Sequence, residues 1–177
     1  QGNLQRIDNF HKDKLKWERG AGYHFVIGNG SNSENGEIEV SKRWVNQWAG
    51  AHAHSKNHNL YGIGICYIGD FNKKSITKDE LLSGVKLIKY LMKLCDIPLA
   101  NVLFHKDIYE TDCPGKLFPK DDFFGYLAAK NLNNEETENL NSYVMDTINW
   151  DSENPESKFD GQKEEITGLF ENEAETN

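Results

Sequence analysis

Histidine and cysteine are the residue types here best able to hold a metal or act as a nucleophile. His105 and Cys113 are the pair whose surroundings aim them. They lie eight residues apart in the stretch Asn101 to Phe118, which reads NVLFHKDIYETDCPGKLF. Val102 to Phe104 reads as a short strand that delivers His105 at its end. Cys113 opens a Cys-Pro-Gly turn, where Pro114 fixes the chain and Gly115 permits a tight bend, so the sulfur is aimed. Two chemistries use such a pair. A catalytic zinc takes three protein ligands and leaves a position for water, whose pKa it lowers towards about 7. A thiol nucleophile takes a histidine base within hydrogen-bonding reach. Residue chemistry by itself leaves both open.

The other histidines and cysteines read more plainly. His11 falls inside a helical pattern and is expected to be a packed or surface residue. His24 follows Tyr23 on a strand, and alternation would turn it to the opposite face. His54 and His58 sit in a histidine-rich stretch without a clean period and read as solvated loop residues. Cys66 has apolar neighbours in a strand pattern, and Cys95 ends a helical stripe; both read as small core residues. Three cysteines at uneven spacing argue against a disulfide framework.

The elements that must position the pair follow from pattern. Asn3 to Trp17 reads as a helix with Asn3 as N-cap. Tyr23 to Ile27 reads as a strand, Glu37 to Val40 as its return, and Leu60 to Ile68 as a buried strand in which Gly62 and Gly64 mark close backbone approach. Thr77 and Glu80 form a capping box ahead of Leu81, Val85, Ile88, Met92 and Cys95 at helical spacing, with Pro98 as terminator. Asp121 to Asn131 reads as a last helix. Strands alternating with helices predict an α/β fold, a mixed β-sheet flanked by helices.

Charge divides the chain. The segment 133–177 carries 13 acidic residues against Lys158 and Lys163, while 1–132 carries 18 basic and 15 acidic ones. A body near +3 gives nucleic-acid binding little electrostatic footing. The Asn/Glu-rich segment 133–177 has sparse apolar residues and is expected to be a disordered acidic tail, leaving 1–132 as the one folded domain. No apolar run is long enough to span a membrane.

Four stretches in order, GYHFVIGNG (Gly22–Gly30), GAHA (Gly50–Ala53), YGIGICYIGDF (Tyr61–Phe71) and FHKDIYETDCPGKLFP (Phe104–Pro119), resemble the zinc-dependent N-acetylmuramoyl-L-alanine amidases. That family includes the peptidoglycan recognition proteins and bacteriophage lysozyme-type amidases. The resemblance covers roughly residues 3–125. It implies hydrolysis of the N-acetylmuramoyl-L-alanine amide bond in peptidoglycan by a zinc ion (Zn2+), at the cell envelope or outside the cell, by a chain expected to be monomeric. It assigns His105 and Cys113 to the metal and Tyr23 to a place beside the reacting water. It puts Thr111 where a lysine or threonine faces the substrate carbonyl, and His52 in the wall of the substrate groove. The family's first zinc histidine lies in a His-His-Ser/Thr motif on a central strand ahead of the first helix. This sequence starts at Gln1 and is read as N-terminally incomplete, with two of three ligands. The alternative is a module that binds muropeptide without cutting it. A cysteine amidase using Cys113 and His105 is a third reading.

Overall fold

Phe25, Val26 and Ile27 are 0% exposed, which is what a strand covered on both faces and both edges requires of its side chains. They belong to β1 (Phe25–Asn29), the middle strand of the sheet in the computed structural model, which describes residues 2–129 and 131–144. β2 (Asn35–Val40) pairs with β1 antiparallel, matching Phe25 with Val40 and Ile27 with Ile38. β3 (Ile65–Tyr67) pairs with β1 on the other side in parallel, matching Val26 with Cys66 and Ile27 with Tyr67. Among the described residues these three strands form one mixed sheet in the order β2–β1–β3.

This register sorts the side chains. Phe25 and Ile27, with Ile38, Val40, Ile65 and Tyr67, face the long helix α4 (Lys78–Leu94), whose Leu87, Tyr90 and Leu91 are buried against them. The capping box forms: Thr77 Oγ1 accepts from the Glu80 amide at 3.1 Å. Leu81, Val85 and Ile88 join α4 to α5 (Lys120–Ala128) through Phe123 and Leu127. Cys95 follows the last helical residue and is exposed, so the stripe stops one turn short of the position expected for it.

Three local readings are corrected. Asn3 does not cap α1 (Asn3–Leu15); Gly2 is the cap residue and makes no side-chain cap bond. The free amides of Asn3 and Leu4 are taken instead by the Glu39 carboxylate of β2, at 3.0 and 3.1 Å. That places a negative charge at the positive end of the helix. Leu60 and Tyr61 are not in a strand but end α3 (Lys56–Tyr61), and β3 begins only at Ile65. A short apolar run does not by itself distinguish the two. Val102 to Phe104 has no ladder partner; it is an extended link between two 3-10 turns, Leu99–Asn101 and His105–Asp107.

Composition also misplaced the edge of the folded body. The segment read as a tail opens with α6 (Asn134–Val144), whose Leu140 and Val144 are buried in the core beside α4. Tyr90 donates to Asn141 Oδ1 at 2.7 Å, and Trp44, in the short helix α2 (Lys42–Val45), donates to the Val144 carbonyl at 2.7 Å. Two buried aliphatic side chains contribute about 1.5–3 kcal/mol each, enough to hold a helix whose sequence is otherwise polar. The rest of that segment, 145–177, lies outside the described residues. No helix among the described residues is long and apolar enough to cross a membrane.

Candidate functional site

The opposite face of the sheet, where Val26 and Cys66 point, leads to the predicted site residues. His105 leaves the first position of a 3-10 turn rather than a strand end. Phe104 anchors that turn, packing 5.5 Å from Phe118 and 5.3 Å from Phe123, centroid to centroid. Its amide donates to Asp107 Oδ2 at 2.8 Å, which closes the turn. The imidazole Nε2 of His105 is buried and has no hydrogen-bond partner. Burial, helped by the neighbouring His54, pushes the His105 pKa down, so the ring is neutral near pH 7. A neutral imidazole with a buried, unpartnered nitrogen is the form that a metal ion takes.

Cys113 is brought to His105 by backbone stitching. The Lys106 amide donates to the Cys113 carbonyl at 3.3 Å, and the Cys113 amide donates to Thr111 Oγ1 at 3.3 Å. Gly115 then turns with φ +107°, where a Cβ would run into the Phe71 backbone. The Leu117 amide fixes the loop by donating to the Phe71 carbonyl at 2.8 Å. Burial raises the Cys113 thiol pKa, against the pull of Lys120. His105 Nε2 makes no hydrogen bond to it. A thiolate nucleophile needs a lowered pKa or a paired base, and the cysteine-amidase reading has neither.

Tyr23 stands just ahead of β1 with its ring stacked 6.4 Å from His52. Its phenol pKa is raised well above the usual value by burial and then by Cys66 and Cys113, which puts Tyr23 in the neighbourhood of the Cys113 sulfur. It is therefore a neutral donor. Thr111 is half-buried, and because its oxygen accepts from the Cys113 amide its own proton remains to donate.

His52 is held deeper. The His52 and Ala53 amides both donate to Asn59 Oδ1, at 2.8 and 3.0 Å, from a buried carboxamide on α3. A Cβ on Gly50 or Gly64 would collide with the His52 ring. The close approach expected at Gly64 is therefore the room that this ring occupies. Burial is the main reason that the His52 pKa is lowered to about 3, with His24, Arg43 and His105 adding to it. Its Nε2, too, is buried without a partner.

The structure does not bring His24 in as a ligand, though strand alternation is not the reason. Tyr23 and His24 precede β1, and both rings lie near His52, at 6.4 and 5.9 Å. His24 is spent on structure. Nδ1 accepts from the Gly64 amide at 3.0 Å and Nε2 reaches the Trp48 carbonyl at 3.0 Å. His11 accepts from the Gly22 amide at 3.1 Å, and the exposed His58 pairs with Ser55 at 2.7 Å.

Two features were missed in the sequence. Arg43 is only 1% exposed, and donates to the Ala21 and Ala49 carbonyls at 2.6 and 2.5 Å. Burial is the main reason that the pKa values of His11, His24 and His52 are lowered, and the Arg43 charge adds to it in all three; nothing in its neighbourhood in the sequence marks Arg43. His54 is exposed yet stacks on Tyr109, 4.3 Å away, and near-parallel to His105, 5.5 Å away.

The donors of His105 and Cys113, one neutral imidazole and one thiol, suit zinc. Among the described residues no group of three or more His, Cys, Asp or Glu is placed to hold a metal ion. The two donors match zinc in chemistry and do not by themselves make up a full ligand set.

Comparison with known proteins adds the following. The profile of a family described as N-acetylmuramoyl-L-alanine amidase matches residues 2–116. The chain is 27% identical over 113 residues to peptidoglycan-recognition protein SC1a of Drosophila melanogaster, covering 63% of this chain and 56% of that protein. It thus spans about half the length of such curated relatives. Among solved structures, the N-acetylmuramoyl-L-alanine amidase LysC from Clostridium intestinale superposes with a TM-score of 0.56 at 32% identity, over 73% of this chain and 78% of that one. PGRP-SA of Apis mellifera gives 0.53 at 30% identity, over 67% of each.

Proposed function

The chain belongs to the N-acetylmuramoyl-L-alanine amidase family, and on that premise we propose that it hydrolyses the amide bond between the lactyl group of N-acetylmuramic acid and L-alanine in peptidoglycan, with zinc as cofactor. The observation that carries this reading is the buried, neutral and unpartnered Nε2 of His105 beside the Cys113 turn. In this proposal His105 and Cys113 are two of the zinc ligands, and the third donor comes from outside the group that they form. Zinc, when bound, polarises the amide carbonyl and makes a nucleophile of water near neutral pH.

The chain's own residues do the rest. As water oxygen adds to the carbonyl carbon, negative charge gathers on the carbonyl oxygen, and Tyr23 and Thr111 offer it hydrogen bonds. Tyr23 suits this because its phenol keeps its proton. Thr111 gives a neutral, weaker bond than a lysine would. The C–N bond then breaks, leaving the lactyl carboxylate and the free amine of L-alanine, which takes the proton. His52 lines the groove and, being neutral, adds no charge there.

The test is release of peptides with a new L-alanine amino terminus from purified peptidoglycan. A chelator should abolish release and added zinc restore it. Cys113→Ser and His105→Ala should each cost more than about 100-fold, the upper range for disturbing only a ligand's supports. Tyr23→Phe should cost about 100-fold, as loss of one oxyanion donor does. Full activity with chelator present sinks the zinc reading.

The second reading is binding of muropeptide without cleavage. It is favoured by the absence of a three-donor group among the described residues and by relatives named as recognition proteins. Retention on insoluble peptidoglycan without peptide release, at saturating zinc, would establish it over the first.

A further inference from the structure

We propose that His54 and Tyr109 are positioning residues, a two-ring clamp that sets the plane of the His105 imidazole. The inference rests on the reading of His105 as a ligand. Its basis is the arrangement of three rings drawn from two separate loops. Tyr109 lies 18° from parallel to His54 with centroids 4.3 Å apart. His54 lies 7° from parallel to His105 at 5.5 Å, and Tyr109 lies 22° from parallel to His105 at 6.1 Å. The three rings are thus nearly parallel, and His105 forms the third corner of a stack whose other members fix each other.

Both partners are held there by backbone. The amides of Ile108 and Tyr109 donate to the His105 carbonyl at 3.0 and 2.9 Å, so the turn that starts at His105 folds Tyr109 back over it. His54 sits at φ +43°, a left-handed conformation that a non-glycine residue adopts at a cost. Immediately before it, Ala53 is buried and its amide is tied to Asn59. The loop is therefore pinned in the conformation that presents His54 to the other two rings.

The physical need is clear. The terminal torsion of a histidine is soft and broad, and rotation about it swings Nε2 out of its direction. A metal-binding histidine is ordinarily oriented by what surrounds it. Here Nε2 makes no hydrogen bond, and the near-parallel rings are the packing that opposes rotation. Tyr109 is 44% exposed and His54 is exposed, so neither ring belongs to the buried core.

The experiment uses the full 177-residue chain with isotope-labelled histidine, in the wild type and in His54→Ala, Tyr109→Ala and Tyr109→Phe. Two measurements are made. In metal-free protein, NMR of the His105 ring should show loss of the ring-current displacement and of ring order in both alanine variants, with both retained in Tyr109→Phe. In a competition assay with a chromophoric chelator, zinc affinity should fall about 2- to 10-fold for each alanine variant, the worth of an aromatic pair, and stay near wild type for Tyr109→Phe. Unchanged His105 ring signals in the alanine variants would overturn the clamp. So would a loss of zinc affinity without any change in the metal-free ring, which would make His54 a ligand. A wild-type chain that takes up no zinc overturns the functional reading instead, and the metal-free ring signals still decide the clamp.

Discussion

Acidifying the protein from pH 7 to pH 4 tests the buried imidazole of His24. In an unfolded chain a histidine takes up its proton near pH 6.5. In the fold the His24 pKa is lowered to about 4, first by burial and then by the buried Arg43 cation, against a backbone bond to Trp48. Geometry gives the reason. Nδ1 accepts from the Gly64 amide at 3.0 Å, so a proton added there would face another donor and break that bond. Above pH 6.5 neither state is protonated and His24 adds no pH dependence. Between 6.5 and 4 the unfolded chain binds a proton that the folded chain refuses, so stability falls as pH falls. The slope is about 1.4 kcal/mol per unit, for a total of about 3 kcal/mol, and the loss levels off below the folded pKa. That is a large part of the about 5–15 kcal/mol available to a typical domain. The assay is urea unfolding at closely spaced pH values for wild type and His24→Gln. The variant should be less stable at pH 7 by about 1–3 kcal/mol, having lost one of its two backbone bonds. Its stability should then decline less steeply between pH 6.5 and 4. Equal slopes in the two proteins, or a flat wild-type profile in that window, would refute the reasoning.

Other perturbations have equally definite outcomes. Arg43→Met should destabilise by about 2–5 kcal/mol, because the Ala21 and Ala49 carbonyls lose their buried charged donor; thermal unfolding reads this, and a cost below about 1 kcal/mol would contradict it. Gly64→Ala should cost about 1–3 kcal/mol by driving a methyl group into the His52 ring, with chemical-shift changes at His52 in NMR as the local marker. Glu39→Gln should weaken the start of α1 by about 1–3 kcal/mol, because the amide carries no charge and keeps one acceptor oxygen where Asn3 and Leu4 each use a separate carboxylate oxygen; hydrogen exchange at those two amides reports it.

What could be read from the chain alone is what depends on near neighbours. The α4 stripe and its capping box obey helical spacing, and they stand as read from Thr77 to Met92. The β1–β2 hairpin, the α5 helix and the Cys-Pro-Gly turn are likewise written in local residue types. So is the order of motifs that identifies the family. Where local rules competed evenly they misled. The apolar run at Leu60 splits into a helix end and a short strand. Val102 to Phe104 finds no partner strand. Within the segment read as a tail, Asn134–Val144 is a helix because Leu140 and Val144 reach the core formed by distant elements.

The site divides in the same way. That His105, Cys113 and Thr111 lie near one another is local, because a single turn and eight residues of chain bring them together. Tertiary structure alone decided that Glu39 rather than Asn3 serves the start of α1, and that burial, with the Arg43 charge adding to it, depresses three histidines. It alone brought His54 from a loop 55 residues away in sequence to lie over Tyr109. Most of these partnerships join residues far apart in the chain, and no periodicity or turn rule reaches that far. Their formation depends on the sheet register and helix packing that first bring the loops together, so they exist only once the chain has folded.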